Sequence, residues 1–198
     1  MDLIGWLFVV VMFAVTVYQI SARNQARTNF LTSVNESQFT SYQDFIDADL
    51  ESIVWTGNYR GEWTLRDSRY SYAKLHLKFG DLIGAETSEG AITSEKSGLL
   101  SSHTIIINAR TNSVIADLYK VFGQLRYTIN LPSGVKYSFI KGQIFNEDDS
   151  RVLSIETSGD WQERSPINVR QSLEVHKSLL SLLIIGKYLC ERESLEAD

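Results

Sequence analysis

The sequence predicts a mainly β protein: a single N-terminal transmembrane helix followed by an antiparallel β-barrel closed by a C-terminal helix, with a β-sandwich as the alternative. Three observations predict it. Residues 3–20, LIGWLFVVVMFAVTVYQI, carry no formal charge. From residue 59 onward apolar and polar residues alternate with a period of two in one run after another, the pattern of half-buried strands. Residues 179–185, LLSLLII, form an apolar block near the carboxyl end.

At about 1.5 Å per residue the first segment covers roughly 27 Å, enough for a hydrocarbon core of about 30 Å with Trp6, Tyr18 and Gln19 near the interfaces. A cleaved signal peptide would show a basic start, a shorter apolar core and a small-residue cleavage site. Here only Asp2 precedes the run, and Ser21-Ala22 is the one pair that suits a protease. A buried core helix apolar on every side would need a core wrapped wholly around it. No Lys or Arg precedes the span, whereas Arg23 and Arg27 follow it, so the positive-inside rule predicts a domain on the cytoplasmic side of an inner or plasma membrane. The opposite side is the alternative, and only there would Asn35-Glu36-Ser37 matter as a glycosylation acceptor. The one cysteine, Cys190, offers no intramolecular disulfide and suits a reducing compartment.

With 43% hydrophobic and 22% charged residues and only 2 Pro, the remainder suits one globular domain. The expected divisions are residues 1–22 for the transmembrane helix, 23–57 for a stalk and short helix, 58–162 for the barrel and 163–198 for the C-terminal helix and tail. A net charge of -5 argues against broad nucleic-acid binding, which needs many cations on phosphate, and against a domain lying flat on anionic lipid.

In chain order, residues 21–40 are polar without Pro or Gly, and Phe30, Leu31 and Val34 recur at helical spacing, so the segment either prolongs the membrane helix or forms a solvated tether. Residues 41–52 place Tyr42, Phe45, Ile46, Asp49 and Leu50 as a short amphipathic helix packed on the domain. Tyr59, Gly61, Trp63 and Leu65 alternate with Arg60, Glu62 and Thr64, and Ala73, Leu75, Leu77 and Phe79 with Lys74, His76 and Lys78, which reads as a hairpin turning at residues 67–70. Residues 82–87 continue the sheet, with Gly84 as a bulge or a close backbone approach. Residues 88–102, rich in Ser, Thr, Gly and Glu, read as a long loop or edge hairpin. Strands follow over 104–109, 113–121, 124–131, 135–145 and 151–157, with turns at 110–112, Pro132-Ser133-Gly134 and 146–150. These seven or eight strands leave no segment long and apolar enough for a parallel crossover, so an antiparallel meander closed on itself is the economical solution. Ser165-Pro166 reads as a helix start, and the helix runs to about Cys190. Its apolar block is too short to span a bilayer; it plugs one end of the barrel, meets another subunit or dips into the membrane surface.

Catalytic motifs are absent: no GxSxG, Walker loop, HExxH or CxxC. His76, His103 and His176 fall in separate elements without ligand spacing, Cys190 reads as a packed thiol, and Glu147-Asp148-Asp149 lacks the spaced oxygens of a calcium loop. No enzyme activity, metal or cofactor is therefore expected. The candidate ligand site is the basic and aromatic cluster Arg60, Arg66, Arg69, Tyr70 and Tyr72, a local reversal of sign in an acidic chain. Guanidinium forks pair with phosphate and aromatic rings stack on bases, which suits a small anionic, nucleotide-like ligand.

Gly61-Glu62-Trp63, a Gly-x-Trp strand opening a compact antiparallel barrel, resembles the start of lipocalin-like barrels. Combined with the span it resembles the membrane-anchored β-barrel effectors of bacterial cyclic-oligonucleotide defence, the SMODS-associated 2TMβ type. That resemblance implies a bacterial inner-membrane protein of antiviral defence in which a small cyclic nucleotide binds the barrel and a homo-oligomer of membrane helices acts on the bilayer. This chain departs from the pattern in its single span and its added C-terminal helix. The expectation is thus a membrane-anchored, non-enzymatic sensor or effector, and the alternative is a structural or accessory subunit bound to a partner membrane protein.

Overall fold

A computed structural model describes residues 3–34, 38–41, 44–45, 50–57, 61–78, 81–96, 103–120, 126–155, 164–169 and 179–196. A long first helix, α1 (Leu3–Ser33), carries the apolar segment without a break into the polar residues that follow. Twelve strands come next: β1 (Val54–Gly57), β2 (Glu62–Arg66), β3 (Ser71–Lys78), β4 (Asp81–Thr87), β5 (Gly90–Lys96), β6 (His103–Asn108), β7 (Val114–Lys120), β8 (Tyr127–Asn130), β9 (Lys136–Ile140), β10 (Gln143–Phe145), β11 (Arg151–Ile155) and β12 (Arg164–Val169). A second helix, α2 (Leu179–Glu196), ends the described chain.

Each strand pairs antiparallel with its sequence neighbours, and β1 pairs with both β2 and β12, so the strands form a closed barrel. At the seam Val54 stands opposite Arg66 on one side and Pro166 on the other. The expected alternation sets the faces: Leu65, Ala73, Leu75, Ile106, Leu118, Ile129 and Phe139 are buried in one continuous core.

That core is built around α2. Leu182, Leu183, Ile184, Ile185, Tyr188 and Leu189 are all buried, so the helix is covered on every side. It meets the ring on opposed arcs, packing against β3 and β4 on one side while Gly186 faces Ile144 of β10 and Ile155 of β11 on the other, and Lys187 lies over the Trp63 ring of β2. A helix touching both arcs of a closed ring lies in its lumen, which explains why its sequence is apolar all round. It fills the lumen along its buried length rather than only stopping one end.

The structure corrects several sequence boundaries. Residues 164–169 are a strand, not the start of a helix: Ser165 and Pro166 pair with Trp55 and Val54 of β1. Among the described residues the register with β11 covers Ile167 to Val169, paired with Ile155 to Leu153. β1 lies within what the sequence assigned to the stalk, and β5 within the stretch expected as a long loop or edge hairpin. The run over 135–145 is two strands, β9 and β10, turned back at Lys141 and Gly142, whose φ angles of 46° and 75° give the positive-φ turn that fits a two-residue hairpin. The strand count is therefore twelve rather than seven or eight.

Leu183, fully buried in α2, reports on the lumen. Leu183→Ala is expected to cost about 2–5 kcal/mol and lower the thermal midpoint of the detergent-solubilised protein by several degrees. A midpoint unchanged within about a degree would show that α2 is not part of the cooperative core.

Candidate functional site: the junction of helix and barrel

Four of the five residues of the basic and aromatic cluster expected from the sequence, Arg66, Arg69, Tyr70 and Tyr72, lie at or beside the β2–β3 turn. Arg66, Arg69 and Tyr70 are exposed at the β2–β3 turn. Tyr72 is buried, and its hydroxyl donates to Asp67, which also accepts the amides of Arg69 and Tyr70. Burial works to raise the Asp67 carboxyl, yet these hydrogen bonds outweigh it and hold the group below its usual value. Burial, helped by Asp67, pushes the Tyr72 phenol well above its ordinary range. Tyr72 is thus a turn-fixing residue. Arg60 lies outside the described residues.

The structure concentrates polar contacts elsewhere, where α1 leaves the barrel. Asp81, the first residue of β4 and 6% exposed, binds both Arg23 of α1 and Lys96 at the end of β5. The Lys78 ammonium donates to the Ala22 carbonyl at 3.4 Å. One turn further on, Arg27 donates to Thr93 at 3.2 Å and pairs with Glu95 at 3.4 Å. Another turn brings Phe30 against Ile83 and Ala91 on the outer wall, with Ala26, Val34 and Ala109 packed beside them. A Cβ at Gly84 would run into the Phe30 ring, so the glycine expected to mark a bulge or a close approach marks a helix docking site. The register of β3 on β4 does shift beside it, between His76 and Leu77. His76 completes the seat: its ring lies 5.2 Å from that of Phe30, with Nε2 2.8 Å from Glu86. Contacts at Asp81 and then at Ala91 and Ala109 show α1 running along the wall from one end of the ring toward the other.

At the same end as Asp81 the mouth holds a buried cation. Lys187, 1% exposed, places Nζ 3.3 Å from the Trp63 ring centre and 2.8 Å from Glu191. The same indole covers Gly57, its cross-strand partner, where a Cβ would collide with the ring. Gly61 carries a φ of 78° and accepts the Leu77 amide at 2.8 Å. The Gly-x-Trp motif is therefore the frame of a cation–π contact that fixes α2. Burial lowers the Lys187 pKa, against the pull of Glu191. Burial likewise pushes the Cys190 thiol up to about 12, which makes it an inert core group. His103 stacks on Tyr119 at 4.3 Å. Among the described residues no group of three or more His, Cys, Asp or Glu stands placed to hold a metal ion.

Sequence reading overlooked Asp81, Lys96 and Lys187 as site residues, and used Arg23 and Arg27 only for membrane orientation. A signal existed in part: Arg23, Arg27 and Phe30 share one helical face at i, i+4 and i+7. No family model, no curated protein and no solved structure matches this chain.

Because the folded-state pKa of Lys187 is depressed, the folded chain binds fewer protons than the unfolded chain up to the ordinary lysine value of about 10.4. Its contribution to stability accordingly rises with pH over that window. The thermal midpoint of the native protein minus that of Lys187→Met is expected to increase from pH 7 to about pH 9.5. A difference that is flat or falls with pH would contradict the depressed value.

Proposed function

We propose that this chain is a membrane-anchored, non-enzymatic β-barrel module whose domain faces the cytoplasm and whose output runs through its span. The observation that carries the reading is α1: over Ile4–Ser33 it contains a window of mean hydropathy 2.0 that is 0% buried against the rest of the protein, while its last turns are fastened to the barrel. A helix long and apolar enough to cross a bilayer is thereby continuous with the wall of the domain. One span makes no channel alone, so an effector role on the membrane requires a homo-oligomer; Gly5 and Ala14 permit close helix contact there. A small anionic ligand such as a cyclic nucleotide would meet Arg66, Arg69 and Tyr70 on the outside of the barrel, because α2 occupies the lumen. The filled lumen also favours a second reading, a structural or accessory subunit whose outer wall docks on a partner membrane protein.

Mass measurement after mild-detergent purification separates the readings. A homo-oligomer is expected for the effector; a stable hetero-complex in equal amounts would replace it with the accessory subunit. For the ligand, a thermal-shift screen of nucleotides on the full chain should show stabilisation that weakens about ten- to a hundred-fold in apparent affinity in Arg66→Ala and Arg69→Ala. Stabilisation untouched by both substitutions, or none by any nucleotide, would remove these arginines from the reading.

A further inference from the structure

The acidic net charge of the chain is not spread evenly over the barrel. Odd-numbered strands run toward the end where Arg23 meets Asp81, and three of them finish there on a lysine: β3 on Lys78, β5 on Lys96 and β7 on Lys120. Lys141, in the turn after β9, and Arg126, just before β8, extend the same rim. Tyr119, 39% exposed, stands one residue from Lys120. The described turns at the opposite end carry both signs, Glu89 and the run Glu147-Asp148-Asp149 being balanced by Arg66, Arg69 and Arg110. Among the described residues the carboxylates near this rim stand beside cations: Asp81 by two, Glu62 by Lys74, Glu95 by Arg27 and Glu191 by Lys187.

The helix fixes where this rim sits. α1 travels along the wall away from the rim after Arg23, and its apolar residues therefore project beyond the rim in the other direction. From the last residue of the apolar stretch, Ile20, to Arg23 is only about 5 Å of helix rise. Since Arg23, Arg27 and Phe30 are all tied to the wall, no slack exists in which the barrel could swing away.

The geometry points to the basic rim as a lipid-docking surface, resting on the phosphate headgroup layer of the bilayer that the span crosses. This rests on the membrane-anchor reading and adds to it an orientation: the barrel stands end-on, with Lys96, Lys120, Lys141 and Tyr119 at headgroup depth and the β4–β5 and β10–β11 turns facing away. Lysine stems and tyrosine rings suit that layer because each joins an apolar body to a polar tip. The occupant is the lipid surface, by continuity with the span and by the sign of the rim.

The experiment uses the full chain in vesicles of phosphatidylcholine and phosphatidylglycerol, with an environment-sensitive fluorophore on Tyr119→Cys, Lys141→Cys, Asp148→Cys or Phe13→Cys; native Cys190 is buried. Lipid nitroxides serve as quenchers. A headgroup nitroxide is expected to reduce emission at positions 119 and 141 at least about two-fold and to leave 148 unchanged, while an acyl-chain nitroxide quenches 13. Quenching at 119 and 141 no greater than at 148, with 13 still quenched, overturns the docking and leaves the anchor standing. Loss of quenching at 13 overturns the anchor, and this inference with it. Lys120→Glu combined with Lys141→Glu should lower the quenching at 119; no change would remove the lysines from the contact.

Discussion

A ring of twelve strands encloses more space than its own inward side chains can fill. Eight strands make a barrel whose side chains just meet across the axis, and much larger rings enclose water. This barrel lies between those limits, so its stability depends on an apolar body in the lumen. α2 is that body, and its uniformly apolar sequence, its burial on all sides and the contact between Gly186 and Ile155 follow from the requirement. The inclusion of Lys187 in such a helix has a cost that Trp63 and Glu191 offset by supplying a π face and a counter-charge.

The outer wall repeats the theme with a second helix. Residues 22–34 of α1 cover Ile83, Gly84 and Ala91, a patch of small and apolar groups that would otherwise face water. The barrel is thus packed on a helix inside and on another outside, and β4 between them is buried along its whole length. The polar latch of Arg23, Asp81 and Lys96 then sets the position of the outer helix along the wall, since hydrophobic contact alone would allow it to slide.

Much of this was legible in the sequence where one face of a strand is wet. β2, β3, β8 and the start of β9 show clean alternation, and each was found from it. The failures have physical causes. β5 opens on Gly90 and Ala91, and small residues that read as a loop are the footprint of Phe30. β12 carries Ser165-Pro166, a pair that fits a helix start equally well; only the pairing with Trp55 and Val54 at the seam explains it as strand. Asp81, Lys96 and Arg23 come together only through tertiary packing, which leaves no local period to read.

The seam between β1 and β12 joins Val54 to Pro166, so the ring is completed by residues near opposite limits of the barrel sequence. Closing so long a loop costs chain entropy before its contacts repay it, and such non-local pairing is slow compared with the hairpins around the rest of the ring. The helix that fills the lumen comes later still in the chain. An open, curled sheet with an exposed apolar inner face is therefore the natural species to precede the barrel, and time spent in it, rather than the stability of the finished ring, sets the exposure of this protein to misassembly.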